Sequence, residues 1–143
     1  MTIQALGEER YAQLLALLTA CDLPTGDLAE VRPHFLGEHD SAGLVGVVGI
    51  ERHGGVGLLR SLAVRAGARG SGVGSRLADA AEAWAASHGI RQLYLLTTTA
   101  ERFFARRGYQ VRPRDQVDPA IQRTTEFTSA CPASATVMWC ELA

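Results

Sequence analysis

Apolar positions along the chain recur with two different periods, and the period names the element. Tyr11, Leu14, Leu15 and Leu18 fall at three-and-four spacing and predict a first amphipathic helix. The stretch "CDLPTGDLAEV" follows with turn chemistry in Pro24, Thr25 and Gly26, then Asp27 as a cap for a second short helix. Pro33 discourages helix just before it. "LVGVVGIER" (44–52) is rich in Val and Ile, "HGG" turns the chain, and "VGLLRSLAV" (56–64) returns, which predicts a β-hairpin. Glycines inside both strands predict bulges or close backbone approach. Helical spacing resumes in Val73, Leu77, Ala80, Ala81 and Trp84, closed by Gly89 as a C-cap. A strand over 90–96, the helix "TAERFFARRG" ending at Gly108, and a strand over 109–112 come next. A helix or turn over 119–127 and a last strand over 135–142 complete the order. This succession predicts an α+β fold (an α/β mixed sheet) of six to seven strands with about four helices on its faces.

The 143 residues are expected to form a single domain, 1–143, large enough for a proper core. Hydrophobic residues make up 47% and charged residues 20%, as in ordinary soluble proteins. A formal net charge of −1 points to neither nucleic acid nor a membrane surface. All 14 basic residues are arginine, so an arginine at any given place is weak evidence by itself. Cys21, Cys131 and Cys140 form no CxxC pair and read as reduced thiols, and His34, His39, His53 and His88 lack metal-ligand spacing, so no metal is expected. "LLALLTAC" imitates a lipoprotein cleavage site, but Glu8 and Glu9 precede it and the apolar run is short. It reads as helix, and the expected location is cytoplasmic.

Between the hairpin and the long helix lies "RAGARGSGVGS". A glycine-rich loop feeding a helix presents free N–H groups and the positive end of the helix dipole to an anion. Gly70, Gly72 and Gly74 remove side chains that would keep a diphosphate away, and Arg65 and Arg69 add positive charge. A phosphate-binding P-loop would need a lysine, which the chain lacks. In a dinucleotide fingerprint the third glycine would fall on Ser75 or on Leu77, so that reading fails as well.

The loop matches R-x-x-G-x-G through Arg69, Gly72 and Gly74, directly after a strand ending "LAV". It resembles the acetyl-CoA pyrophosphate loop of the GNAT acetyltransferase superfamily, and "TTTAERFFARRGY" resembles a later motif of the same superfamily. "LLRSLAV", "LYLLTTTAERFFARRGY" and "EFTSACPASATVM" together resemble its arsenic-resistance N-acetyltransferase branch. The resemblance implies that acetyl-CoA, the cosubstrate, lies between two splayed parallel strands. The backbone of Leu62, Ala63 and Val64 would bond the pantetheine, and Arg69, Gly70, Ser71, Gly72, Val73, Gly74 and Ser75 would hold the pyrophosphate. Thr97 stands where the family often has Asn, and Phe103 and Arg106 would lie along the pantetheine and adenosine.

Direct attack of a neutral amine on a thioester needs proton removal, oxyanion stabilisation and a proton for the leaving thiolate. A backbone N–H near Leu62 is the expected oxyanion donor and Glu51 the expected base, directly or through water. The family's usual tyrosine acid is Phe104 here, which has no proton to give; water, Tyr94 or Cys131 would have to serve. The branch resemblance implies a small-molecule amine acceptor, an amino acid such as arsinothricin or phosphinothricin. Arg60 first, then Ser61, Arg112 and Arg114, are the expected anchors for its acidic groups. The alternatives are an ordinary amino acid or antibiotic amine as acceptor, or an acyl-CoA-binding module without turnover. The resemblance is also compatible with a homodimer paired through C-terminal strands.

Overall fold

The structure is a computed structural model that describes residues 3–142; residues 1, 2 and 143 of the expected domain lie outside the described residues. β1 (Ile3–Ala5) leads through a 3₁₀ turn into α1 (Tyr11–Ala20), then α2 (Leu28–Val31), β2 (His34–Asp40), β3 (Gly43–His53) and β4 (Val56–Val64). α3 (Val73–Ser87), β5 (Gln92–Thr97), α4 (Glu101–Arg106) and β6 (Gln110–Val111) follow, then α5 (Pro119–Gln122), a π-helical turn (Glu126–Ala130) and β7 (Thr136–Glu141). The seven strands form one sheet in the order β1-β2-β3-β4-β5-β7-β6. Only β4 and β5 run parallel among the described pairs; the rest are antiparallel. The expected mixed sheet with helices on its faces is therefore what forms.

Helix α3 covers one face, burying Val73, Leu77, Ala78, Ala81 and Ala85 against Val45, Val48, Ile50 and Leu59. Each fully buried Leu or Ile there contributes about 1.5–3 kcal/mol of apolar transfer. The helix sits close because β3 has no side chain at Gly46: a Cβ there would lie 2.8 Å from Leu77 and 2.9 Å from Val73. The expected stripe shifts by a residue, with Ala78 and Ala85 buried and Ala80 and Trp84 at the margin. On the opposite face α1 packs through Leu14, Leu17 and Leu18 against Phe35, Val47 and Ala63. Leu17 takes the place expected for Tyr11, which remains 41% exposed.

Two strands escaped the sequence pattern. β2 carries a fully buried Glu38 and a glycine where alternation requires apolar side chains, and β1 is three residues long. Of the bulges or close approaches expected from glycine content, the close approach is at Gly46, and the β3–β4 ladder has one bulge, whose doubled residues are not glycines. Val47 faces Ala63 but Gly49 faces Arg60, so Val48 stands opposite both Ser61 and Leu62. Ser61 takes φ 56°, unusual for a residue with a side chain.

Candidate active site

The parallel pairing of β4 with β5 covers three residue pairs, Val56 with Gln92, Gly57 with Leu93 and Leu58 with Tyr94. Beyond Leu58 each strand keeps its other neighbour: β4 stays on β3 as far as Val64, and β5 stays on β7 as far as Thr97. The sheet thus divides into two wings, and β4 from Leu59 onward offers an edge that β5 does not cover. Ser61 and Leu62 belong to this same stretch of β4, where its pairing with β3 is bulged, and bulges release backbone groups from the ladder.

The wedge opens toward the glycine loop. Gly70 and Gly72 adopt φ 83° and 86°, a region that costs an L side chain energy, and Gly72 is the N-cap of α3. A Cβ at Gly74 would meet the Phe103 ring at 3.7 Å and Val64 Cγ2 at 3.9 Å, so the first turn of α3, the end of β4 and α4 share one corner. Arg69 donates from Nε to the Val64 carbonyl at 3.2 Å and from Nη2 to Cys21 Sγ at 3.4 Å, and is exposed. The structure therefore gathers Leu62, Ala63, Val64, Arg69, Gly72, Gly74 and Phe103 around one opening. Thr97 Oγ1 accepts hydrogen bonds from the Ala100 N–H at 2.9 Å and the Thr99 N–H at 3.3 Å, holding the start of α4. Arg106 is exposed at the end of α4, whereas its neighbour Arg107 bonds to Asp79 and Glu82.

Arg76, which no sequence motif singled out, holds this corner together. Its Nε and Nη2 each donate at 2.9 Å to the two oxygens of the fully buried Glu38 carboxylate, and Nη1 reaches the Ser71 carbonyl at 3.3 Å. The hydrogen bonds from Arg76 hold the Glu38 carboxyl below its usual range. Helix position explains why Arg76 can do this, but nothing in the local pattern announces it.

Beneath β4, on the α1 face, lies a cluster built on Arg60. Its side chain is fully buried and faces three carboxylates. Nη1 and Nη2 fork onto Asp27 at 2.5 and 2.9 Å, and Nη1 also donates to Glu51 Oε2 at 2.8 Å. The Nε–H is directed to Ser61 Oγ at 3.1 Å, with Glu126 Oε2 in ionic contact at 2.9 Å. Glu51 Oε1 lies 3.0 Å from His53 Nε2, and the Cys131 thiol donates to Glu126 Oε1 at 3.4 Å.

Electrostatics differ sharply inside this cluster. The hydrogen bond from Arg60 holds the Asp27 carboxyl below its usual range. Burial opposes the charge on Arg60, but the Asp27, Glu126 and Glu51 carboxylates outweigh it and keep the guanidinium firmly protonated. Burial pushes Glu126 up to about 7 against the pull of Arg60 and the Cys131 thiol, and the Glu51 and Asp27 carboxylates add to the rise. Burial, with Glu126 beside it, pushes the Cys131 thiol up to about 12.

Four expectations change here. Asp27 does not cap α2 with its side chain; the carboxylate goes to Arg60 instead. Arg60 does not face the wedge as a receptor for a ligand's carboxylate, because protein carboxylates already surround it. Arg112 is three strand positions from β4, its guanidinium 4.3 Å above the Trp139 ring, so the structure does not bring it to Arg60. Arg114 is likewise spent on the Ala135 and Pro132 carbonyls. Phe104 is buried edge-on against Tyr109, ring centres 5.3 Å apart, and Tyr94 is buried at the last β4–β5 pair. Glu126 was missed because its place in the cluster depends on how the C-terminal segment folds back under β4.

The sequence profile of the acetyltransferase (GNAT) domain matches residues 31–111, more than half of the chain. The chain belongs to the GNAT acetyltransferase family. Solved structures share the GNAT fold at low identity. N-acetylglutamate synthase from Neisseria gonorrhoeae, complexed with coenzyme A and N-acetyl-glutamate, superposes with TM-score 0.86 at 20% identity, over 99% of this chain and 35% of that one. This chain thus spans about a third of that enzyme's length. Rv2747 from Mycobacterium tuberculosis, in complex with CoA, gives 0.85 at 17% identity with both chains fully covered. An aminoglycoside 6'-N-acetyltransferase complexed with coenzyme A gives 0.73 at 18% identity, over 100% of this chain and 98% of that one. None of the described helices of this GNAT domain is long and apolar enough to cross a membrane.

Proposed function

We propose that this GNAT domain is an acetyl-CoA-dependent N-acetyltransferase for the amine of a small amino-acid-like compound in the cytoplasm, arsinothricin or phosphinothricin being the first acceptors to test. The observation that carries the reading is the division of the sheet after Leu58, with a glycine loop at one end of the opening and a carboxylate-rich cluster under its floor.

The residues fit acetyl-CoA. The uncovered edge at Leu62, Ala63 and Val64 suits an extended pantetheine amide chain, which would pair with it as a strand would. Gly70, Ser71, Gly72, Val73, Gly74 and Ser75 suit a pyrophosphate at the start of the 15-residue α3, with Arg69 as the exposed cation beside it. When bound, acetyl-CoA supplies an acetyl group activated as a thioester. Backbone N–H groups of the bulge, at Leu62, are the donors for the oxyanion. The carboxylates around Arg60 favour an acceptor that arrives as an ammonium ion, since three acidic groups face one guanidinium. Either named compound carries such an amine, and the C-terminal likeness to the arsenic-resistance branch lies in the segment that contains Glu126 and Cys131.

The test is release of CoA thiol from acetyl-CoA with arsinothricin, phosphinothricin and glutamate supplied in parallel. Saturable release with arsinothricin or phosphinothricin, at least about tenfold faster than with glutamate, is the expected result. Equal rates with all three would replace the toxin reading with a general amino-acid acceptor. No release, with acetyl-CoA bound, would make this domain a binding module.

A further inference from the structure

We propose that Glu126, on the π-helical turn, is the group that takes the proton from the acceptor's ammonium ion, while Asp27 and Glu51 hold Arg60 in place beside it. The proposal rests on the acetyl-transfer reading above and assigns a role within that site.

The geometry separates Glu126 from the other two carboxylates. Asp27 accepts both arms of the Arg60 fork, and Glu51 accepts an Nη1 hydrogen bond while its other oxygen meets His53. Both carboxylates are thereby committed to hydrogen bonds with their neighbours, and the bond from Arg60 holds Asp27 in its ionised form. Glu126 differs, because the Arg60 Nε–H points to Ser61 Oγ and leaves Glu126 Oε2 with an ionic contact. Its hydrogen-bond donor is a thiol, a weak one. Place matters as much as bonding. Ser61 and Glu126 meet the same guanidinium nitrogen, and Ser61 is the bulge residue on the β4 edge where the wedge opens. A carboxylate there is next to the backbone that would face the thioester carbonyl.

The remaining surroundings complete the account. The charged and titratable groups facing Glu126 are Arg60 from β4, Glu51 from β3, Asp27 before α2, and Cys131 at the end of its own turn, with Arg114 acting on the Cys131 thiol. Burial, Glu51 and Asp27 together lift its carboxyl to about 7, which suits a group that must both accept and return a proton near neutrality.

The step balances. The ammonium nitrogen gives one proton to Glu126 and becomes a neutral amine. Its lone pair forms the C–N bond, the C–S bond breaks with its electron pair on sulfur, and the second amine proton goes to that thiolate. Glu126 then returns its proton to water.

The test measures kcat/KM against pH by thiol release, using whichever of arsinothricin, phosphinothricin and glutamate reacts fastest, with acetyl-CoA binding measured by calorimetry. Wild type should show an acidic limb near pH 7. Glu126→Gln should remove that limb and lower kcat/KM about 100-fold at pH 7, with acetyl-CoA affinity unchanged. Glu51→Gln should keep the limb but move it down, because one of the carboxylates that lifts Glu126 is gone. Two further variants test the point should the glutamine variant fail to fold. Cys131→Ala removes the donor to the ionised form and should move the limb up by about half a pH unit; Cys131→Ser, a stronger donor, should move it down. A limb that persists in Glu126→Gln, disappears in Glu51→Gln, or ignores both cysteine variants overturns the proposal and leaves acetyl transfer standing. Acetyl-CoA binding without thiol release by wild type with all three amines overturns both.

Discussion

Both the glycine loop and the Arg60 cluster depend on β4, yet one is made of backbone and the other of buried side chains. The loop is exposed, rich in glycine and held from behind by Arg76; its chemistry is N–H groups and a helix terminus. The cluster has one guanidinium and three carboxylates, all nearly inaccessible. On the function proposed above, the difference follows from what each side would handle. A pyrophosphate is a large fixed anion that repeated dipoles can meet in water. A proton moving on and off one nitrogen needs a titratable group whose affinity for it is set by burial and neighbours.

The comparison breaks first, and with the largest effect, at Arg60. Arg60→Met would leave the buried carboxylates uncompensated and should cost about 3–5 kcal/mol of stability by urea unfolding at pH 7. Part of that loss should return at pH 5, where protonation relieves the repulsion. A loss below about 1 kcal/mol would mean that water reaches the cluster and that Arg60 does not hold it. In wild type the pH terms oppose one another. Glu126 binds its proton more tightly folded than unfolded, so between its ordinary 4.5 and about 7 it lowers stability as pH rises. Asp27 and Glu38 are held below their usual range, so the stability they contribute is present above it and disappears as pH falls through their folded values.

The second effect, smaller, belongs to the loop's support. Arg76→Ala strips the fully buried Glu38 of both charged donors and frees the Ser71 carbonyl. The expected cost in urea unfolding is smaller than at Arg60, because the Arg76 side chain is 44% exposed. Acetyl-CoA affinity should weaken as well, since the loop would lose an anchor. Unchanged affinity despite lower stability would show that the glycine conformation alone shapes the loop.

How much of this the sequence disclosed follows the same division. The loop was legible because backbone chemistry leaves a local signature: glycines at fixed spacing, a strand before and a helix after, and Val73 and Leu77 in the helical period. β3 and β4 were legible because Val and Ile at strand spacing need no partner to be recognised. The cluster was not. Asp27 looks like an N-cap from its neighbours, and only the folded chain, with Leu28 in the core cluster beside α1, brings it to Arg60. Glu126 lies 66 positions after Arg60, and no periodicity links them. β2 hid because a strand whose buried carboxylate is satisfied by Arg76, 38 residues on, reads as polar loop until that partner is in place.

The smallest expected effect on stability, and the cleanest separation of the two sides, is at Arg69. Its side chain is exposed, bonded to the Val64 carbonyl and the Cys21 sulfur, and it takes no part in an ion pair among the described residues. Arg69→Glu should therefore leave unfolding within about 0.5 kcal/mol of wild type. It reverses a charge beside the expected pyrophosphate, so acetyl-CoA should bind about tenfold more weakly at low ionic strength, and the gap should narrow as salt screens it. The acidic limb of the pH profile should not move, because Glu126 is under β4 and its proton affinity is set by Arg60, Cys131, Glu51 and Asp27. A shifted limb would show that the two sides of β4 communicate electrostatically. Unchanged affinity would place the pyrophosphate on the glycine N–H groups alone, with Arg69 serving the Val64 carbonyl and Cys21 as a local tie.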